Sequence, residues 1–522
     1  MQEFNLSLTD ALTKGLRPKS YNKRNSDFLQ ECKYLKVTEQ GLIEDDGVTN
    51  PFISDPYASW PFPQFIRGQG VNMLAGETTL ETVDEDSWGT VNIETFDYAS
   101  CSTPKAIVAG GPWHYADFYE TWFLLNGSCV VFKDKSRSMF GEADKVLVCD
   151  ERTINTGCDF KGRVIFAGFD PTDFWDVEWQ ALMAYWGSRF DYDLSYVLTM
   201  GSNFVWWSAI GGGNALDLFY PERAVYGVME EDADTAVSAP MYLEYMKRND
   251  SGFMPMPWQG TVLCTKPLGK GVMVYGDNGI AFMYPASGGG VATMGLEKLA
   301  DFGIASRSAV GGNFNSHLFV DTSGALWRVG KDVVLQKLDY NEYVAPLLDS
   351  EIVVTHNPHE EDFYVSGTIS DTETGFLLTP SGLSATPYAV TSGYFMEGAF
   401  VGVRKVADDT EVLVTVDTQD MGYREDKTIT TVEIGLDTSS DVDLGFVEVA
   451  ADYRYSKSGE WVTTPWVVVN DKGWERLQIT ATEMRLKIRI GGYSNVRIDE
   501  LNIRWQMSNK QTIRGLSAAK IG

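Results

Sequence analysis

One layout keeps returning in this chain and restricts what it can fold into. LFVDTSGALWRV (318–329) is an apolar run, a polar kink ending in glycine, and a second apolar run. FLLNGSCVVF (123–132), MVYGDNGIAFMY (273–284) and FLLTPSGLSATPY (376–388) repeat it more loosely. Short runs rich in Val, Ile, Phe, Tyr and Trp, stopped by Gly, Asn, Asp or Pro, are strand signals. Reversal over roughly two or three residues needs positive φ, which Asn126-Gly127 and Asn278-Gly279 are suited to supply. The turn glycines Gly127, Gly279, Gly324 and Gly382 are separated by 152, 45 and 58 residues. The last two gaps lie near the ~40–50 residue period of propeller blades, and the first is about three such periods. Radial repetition of small antiparallel sheets buries both faces of each and leaves only short edges. The recurrence is therefore architectural, and residues 56–400 are expected to form a β-propeller of roughly six to eight blades.

The flanks differ. Residues 1–55 are polar, with basic residues early and no helical stripe, and read as an extended arm with a strand near Cys32–Val37. A Pro-rich stretch, NPFISDPYASWPFPQF, marks its boundary. Residues 401–522 carry longer strands with cleaner alternation and are expected to form a β-sandwich that packs with the arm as a platform. In MRLKIRI, Leu486, Ile488 and Ile490 face one side and Arg485, Lys487 and Arg489 the other. The fold class is thus all-β, with a central propeller, a C-terminal sandwich and an N-terminal arm. The best helical signal is DPTDFWDVEWQALMAYWGSRF (170–190).

Charge separates function classes. The formal net charge of −29 disfavours a grip on DNA phosphates, which depends on Lys and Arg displacing counterions. Residues 472–522 reverse the trend, with ten basic and four acidic side chains. Such asymmetry points to a docking end; Arg485, Lys487, Arg489, Arg497 and Arg504, with Arg17 and Lys19 of the arm, are its candidates. The six cysteines are scattered without a C-x-x-C pair and read as free buried thiols in a reducing cytosol. The opening MQEFNLSLTD lacks a signal-peptide layout, and no apolar run is long enough to span a bilayer.

Searches for catalytic chemistry find little. HNPHEED, beginning at His356, has the composition of a metal site, but Pro358 forbids the helical H-E-x-x-H geometry. GGGNALDLF and SGGGVATMG lack the Lys-Ser/Thr of a phosphate loop. No G-x-S-x-G elbow occurs. Asp191, Asp193, Asp277 and Asp321 are possible glycosidase acids, yet each sits where a turn or strand end favours Asp. Trp206, Trp207 and Trp258 could stack on sugars or fill the core between blades. No catalysis, cofactor or metal is expected.

Several phrases carry a resemblance across nearly the whole chain. They are GLRPKSYNKRNSDFLQECKYLKVTEQGLIEDDGV in the arm; FPQFIRGQGVNMLAGETTLETVDEDSW, TGCDFKGRVIFAGF, NFVWWSAIGGGNALDLF, GVMVYGDNGIAFMYP and SHLFVDTSGALWRV in the centre; and RLKIRIGGYSNVRIDELNIRWQ near the end. In order and texture they resemble the propeller-bearing tail nozzle, or tail hub, proteins of bacteriophages, a group that includes the packaged-DNA stabilisation proteins of short-tailed phages. The resemblance implies a structural virion protein that forms a ring, usually of six copies, beneath the portal and head-to-tail adaptor. Such a ring makes the DNA ejection conduit, retains the packaged genome, touches DNA only transiently and neighbours tail fibres or spikes. It also implies assembly in the host cytoplasm, a place in the virion tail, and no membrane insertion by this chain. The chain is shorter than the longest nozzles, so an extended tip is expected to be missing. The alternative is a receptor- or carbohydrate-binding tail propeller, with a glycosidase behind it. DTSGALW also resembles the Asp-box hairpin of sialidases, with an extra residue between Asp321 and Gly324.

Overall fold

The structure is a computed structural model. It describes residues 3–508 except 22–25, 46–62, 69–70, 85, 98–101, 119–120, 134–144, 151–152, 169–201, 209–251, 289–290, 371, 397–398, 407–411, 419–425, 438–444, 457 and 493–494. The helix expected over 170–190 and the glycine run beginning at Gly211 lie outside the described residues. What is described is nearly all β, with α1 (Thr9–Lys14) and a short helical pair, Asn341–Val344 and Ala345–Asp349.

The arm supplies β1 (Glu3–Ser7), β2 (Leu29–Lys33), β3 (Leu35–Thr38) and β4 (Gly41–Glu44). The strand expected near Cys32–Val37 is two strands, because Tyr34 takes φ 67 between them. Antiparallel sheets then follow in chain order. Sheet 1 is β5 (Gln64–Gly68), β6 (Val71–Ala75), β7 (Leu80–Val83) and β8 (Thr90–Asn92). Sheet 2 is β10 (His114–Phe118), β11 (Thr121–Leu125), β12 (Val130–Lys133) and β13 (Val146–Cys149), with the earlier β9 (Thr95–Asp97) parallel to β13 on its outer edge. Sheet 3 is β14 (Thr156–Phe160), β15 (Arg163–Ala167), β16 (Phe204–Trp207) and β17 (Gly252–Pro255). Sheet 4 is β18 (Val262–Leu268), β19 (Gly271–Gly276), β20 (Ile280–Gly288) and β21 (Val291–Ala300). Sheet 5 is β22 (Val310–Gly312), β23 (Ser316–Val320), β24 (Leu326–Gly330) and β25 (Leu335–Lys337). A sixth meander, β26 (Val353–Asn357), β27 (Asp362–Ile369), β28 (Thr372–Leu378) and β29 (Leu383–Thr386), precedes the hairpin β30 (Tyr388–Met396) and β31 (Ala399–Val406).

Strands at or near the start of each meander meet in sequence. The Trp113 amide donates to Gln64 Oε1 at 2.5 Å, joining sheets 1 and 2. His114 Nδ1 lies 2.7 Å from Thr156 Oγ1, and the Thr265 amide donates to that hydroxyl at 2.9 Å, carrying the contact through sheet 3 to sheet 4. His317 Nε2 lies 3.0 Å from Pro267 O, and the Val354 amide donates to Ser308 O at 3.0 Å. The hairpin closes the series: the Val390 amide donates to Ser366 Oγ at 2.9 Å and the Phe65 amide to Ser392 Oγ at 2.6 Å. Apolar clusters fill the spaces between neighbours, such as Ile165, Val205, Val272 and Met283 between sheets 3 and 4. Full burial of each such side chain contributes about 1.5–3 kcal/mol.

The fold-back glycines divide by mechanism. Gly127 (φ 85) and Gly324 (φ 76) have the positive φ their turns require. Gly279 is corrected: it is not in that region, and it is needed because a Cβ there would lie 2.4 Å from the Trp258 ring.

The remaining strands are β32 (Val412–Asp417), β33 (Lys427–Asp437), β34 (Phe446–Arg454), β35 (Val462–Thr463), β36 (Val467–Val468), β37 (Trp474–Glu475), β38 (Ile479–Ala481), β39 (Glu483–Gly491) and β40 (Arg497–Met507). They build two sheets with the arm. In one, β40 pairs with β33 along one edge and with β4 and β1 along the other. In the other, β2 lies between β29 and β32, followed by β39 and β34, so the sixth meander and the C-terminal strands form one ten-stranded sheet. The two sheets share a core that includes Val414, Leu486 and Ile488 from one and Ile429, Ile498 and Ile503 from the other.

Candidate functional site

Two places concentrate chemistry. The first is a cavity of about 650 Å³. Its walls come from β5, β10, β14, β18, β22, β26 and β30, with Arg307 and Lys266 among the lining residues. Arg307 lies between sheets 4 and 5 yet donates to Leu125 O at 3.2 Å and also to Asn126 O and Asn155 O, so its guanidinium bridges across to sheets 2 and 3. Burial pulls it down to about 10. His114 engages Thr156 Oγ1 and Arg307 O, and His317 engages Tyr275 Oη and Pro267 O. Burial holds both imidazoles well below the ordinary histidine range, so they are neutral structural links. His356 is different: it is buried against Phe363 and its Nε2 has no hydrogen-bond partner. Asp159 is open to the cavity, but the surrounding wall raises its carboxyl, with Asp117 adding to the effect.

The second place is the cationic face of β39. Arg485, Lys487 and Arg489 alternate with buried Leu486, Ile488 and Ile490, as the period-two reading requires. The neighbouring strands set carboxylates against each cation. Arg485 Nε is 3.6 Å from buried Asp417, Lys487 Nζ is 3.8 Å from Asp452, and Arg489 Nε donates to Glu448 at 2.5 Å. Asp417 and Asp452 both stand directly opposite Arg485, from β32 and β34, and Glu448 stands opposite Arg489. Indole rings cap the row. Trp461 lies between the Arg454 and Arg485 guanidinium groups at 4.4 and 4.3 Å, and Trp466 lies 4.5 Å from Arg489. Such stacks contribute about 0.5–2 kcal/mol each.

The other candidate docking residues are spread apart. Arg504 is exposed and paired with Glu433 at 2.5 Å, and Arg497 reaches Gln40 Oε1 at 3.1 Å with Asp499 at 4.0 Å. Arg17 is a correction: its side chain is buried, pairs with Glu342 at 2.6 Å and donates to Pro18 O and Tyr21 O, fastening the arm to the helix at Asn341. Lys19 is exposed on the same loop.

The possible acids have structural work. Asp321 Oδ1 accepts from the Ser323 and Ala325 amides and the Ser323 hydroxyl, and Oδ2 accepts from Trp327 Nε1 at 2.8 Å. Asp277 accepts from the Thr261 amide at 3.0 Å. Asp191 and Asp193 lie outside the described residues. Trp206, Trp207 and Trp258 are buried and belong to the core, not to a sugar-binding face. His359 stacks on Phe395 at 4.2 Å, and among the described residues no three metal-ligating side chains converge. Cys32, Cys129, Cys149, Cys158 and Cys264 are buried; Cys101 lies outside the described residues. Among the described residues no helix is long and apolar enough to cross a membrane.

Sequence reasoning missed two groups whose partners are remote in the chain. Lys36 of β3 meets Asp362 at 2.5 Å and also Glu360, tying the arm to β27. Asp45 accepts from Thr386 Oγ1 at 2.6 Å and Tyr364 Oη at 3.4 Å.

No family model matches the chain, and no curated protein matches it. Solved structures overlap it at low identity. The extracellular domain of a putative hybrid two-component system from B. thetaiotaomicron is 11% identical, with a TM-score of 0.35, over 84% of this chain and 49% of that one. The Pan2 WD40 domain of Neurospora crassa is 7% identical, with a TM-score of 0.33, over 66% of this chain and 86% of that one. An exo-beta-1,3-galactanase from Phanerochaete chrysosporium is 8% identical, with a TM-score of 0.22, over 81% of this chain and all of that one. The chain spans about half the length of the first of these. Overlaps of this size carry no argument about what the chain does.

Proposed function

We propose that sheets 1 to 6 and the closing hairpin are a β-propeller, that the arm and the last strands are a β-sandwich platform, and that the whole is a non-catalytic subunit of a bacteriophage tail nozzle or hub. In this reading about six copies form a ring below the portal and adaptor, in the virion tail. The observation that carries it is the stitching of the platform. β1 and β4 flank β40, while β2 joins the sixth meander to β32. The arm, the last described strands and the sixth meander are thereby joined into one body, as a wedge of a ring wall requires. The resemblance in order along the chain supports the same reading.

The conduit would run between copies, since the subunit's own cavity is about 650 Å³ and is bridged by Arg307. With a net charge of −29, a lumen lined by these chains repels phosphate over about one Debye length, ~8–10 Å at physiological salt. Heterologous contacts that close cyclically generate such a ring. Mass photometry and negative-stain imaging of the purified chain with its adaptor test the reading. Six-fold rings on the tail axis support it; isolated or trimeric copies away from that axis overturn it.

The cavity favours a second reading, a receptor- or carbohydrate-binding tail propeller, because its volume falls in the range of small-ligand sites. Glycan-array binding by off-axis copies would select it.

A further inference from the structure

We propose that the cavity is a binding site for a compact oxyanion, with the Lys266 ammonium as its counter-charge and His356 Nε2 as a second hydrogen-bonding group. The ligand chemistry is a carboxylate, sulfate or phosphate group, borne by an acidic sugar or free in solution. The inference goes beyond the tail-hub reading and does not depend on it.

Three observations converge on the cavity. Lys266 is half-buried on β18, and its ammonium makes one long contact, 3.4 Å to Val310 O. Among the described residues it has no ion pair, although the chain carries 72 carboxylate side chains. His356, across the cavity on β26, has a side chain only 5% exposed, and its Nε2 meets no acceptor; the Glu361 carboxylate at 4.0 Å is beyond hydrogen-bond reach. A buried polar group left in this state costs about 1–3 kcal/mol. The other two histidines nearby have both ring nitrogens engaged, which singles out His356 as the one with capacity to spare.

The electrostatics agree. Burial first, then the Lys266 and Arg328 charges, hold His356 down to about 4, so the ring is neutral and an Nε2–H tautomer can donate. Arg307 adds positive charge at the wall: its Nη1 and Nη2 donate to carbonyls, and its buried Nε has no hydrogen-bond partner. Asp159 shares the cavity, and burial raises its carboxyl with Asp117 adding to the effect. Phe314, also lining the cavity, is 51% exposed, with the Lys331 ammonium 5.5 Å from its ring centre. A cavity of about 650 Å³ accommodates a ligand of one or two sugar rings.

Isothermal titration of the full chain at low salt tests this with sodium glucuronate, sodium sulfate and inorganic phosphate, and with glucose as the neutral control. At least one anion should bind where glucose does not. Lys266→Met should weaken that binding about tenfold or more, as loss of a charge-assisted contact requires, while Lys266→Arg retains it. Glucuronate binding tighter than both inorganic ions assigns the site to an acidic sugar; the reverse order assigns it to a free oxyanion. Thermal melts of both variants confirm that the fold is intact. Anion binding no better than glucose, or binding unchanged in a folded Lys266→Met chain, overturns the proposal.

Discussion

Replacing Lys36 by Met tests the idea that the arm is welded to the sixth meander rather than laid upon it. Lys36 is 15% exposed, and its ammonium meets Asp362, 2% exposed, at 2.5 Å. Removing one partner of a buried pair costs about 3–5 kcal/mol, because the other charge is left in a poor solvent. Glu360, which shares the lysine, is half in water and softens the loss little. Equilibrium urea denaturation well above pH 7, where the Asp362 carboxyl that burial raises to about 7 is ionised in the folded chain, should show the midpoint falling with the slope unchanged, to a degree that matches that range. The double variant Lys36→Met/Asp362→Leu should recover most of the stability, since an apolar pair of similar volume removes the stranded charge. A Lys36→Met chain within about 0.5 kcal/mol of the parent would refute the reasoning, because that is the range of a surface change.

Other expectations follow from the same structure. Burial pushes the Asp362 carboxyl up to about 7, so the folded chain holds a proton that the unfolded chain releases above about 4; the stability from this group is full below that lower value and is lost as pH rises through about 7, and Asp362→Asn should flatten the urea midpoint across that window. Arg307→Met should cost about 3 kcal/mol or more in thermal and urea melts, because three carbonyls of two sheets lose charge-assisted donors. Gly279→Ala should cost about 1–3 kcal/mol and shift the Trp258 fluorescence, since the new methyl meets the indole at 2.4 Å. Charge reversal of Arg485, Lys487 and Arg489 together should lower the melting temperature of the isolated chain, because it strands Asp417, Asp452 and Glu448 beside new carboxylates; docking is better probed at exposed Arg504.

The meanders were legible because a hairpin is local: the pattern of apolar run, turn and apolar run fixes both its strands and its partner. LFVDTSGALWRV becomes β23 and β24 with Val320 opposite Leu326, and the alternation at Arg485–Ile490 gives the correct inner and outer faces. What alternation does not carry is the neighbour. Phe4 pairs with Trp505 and Lys33 with Ala385, and nothing in the spacing of either announces the other. The basic stretch looked unmatched for the same reason, since its carboxylates stand on β32 and β34, before it in the chain and beside it in space. Arg17 looked free because its acid is at Glu342. Composition marks a basic end, but only long-range pairing reveals that five of its cations, Arg485, Lys487, Arg489, Arg497 and Arg504, already have carboxylate partners.

The ten-stranded sheet also has a temporal meaning. β2 leaves the ribosome before the meanders, yet one of its edges waits for β29 and the other for β32, while β1 and β4 wait for β40. The meanders can condense one after another as they emerge, each on contacts close in sequence, whereas the junction must be sewn afterwards between strands far apart in sequence. A newly made chain can therefore close that seam only once β29, β32 and β40 have been made.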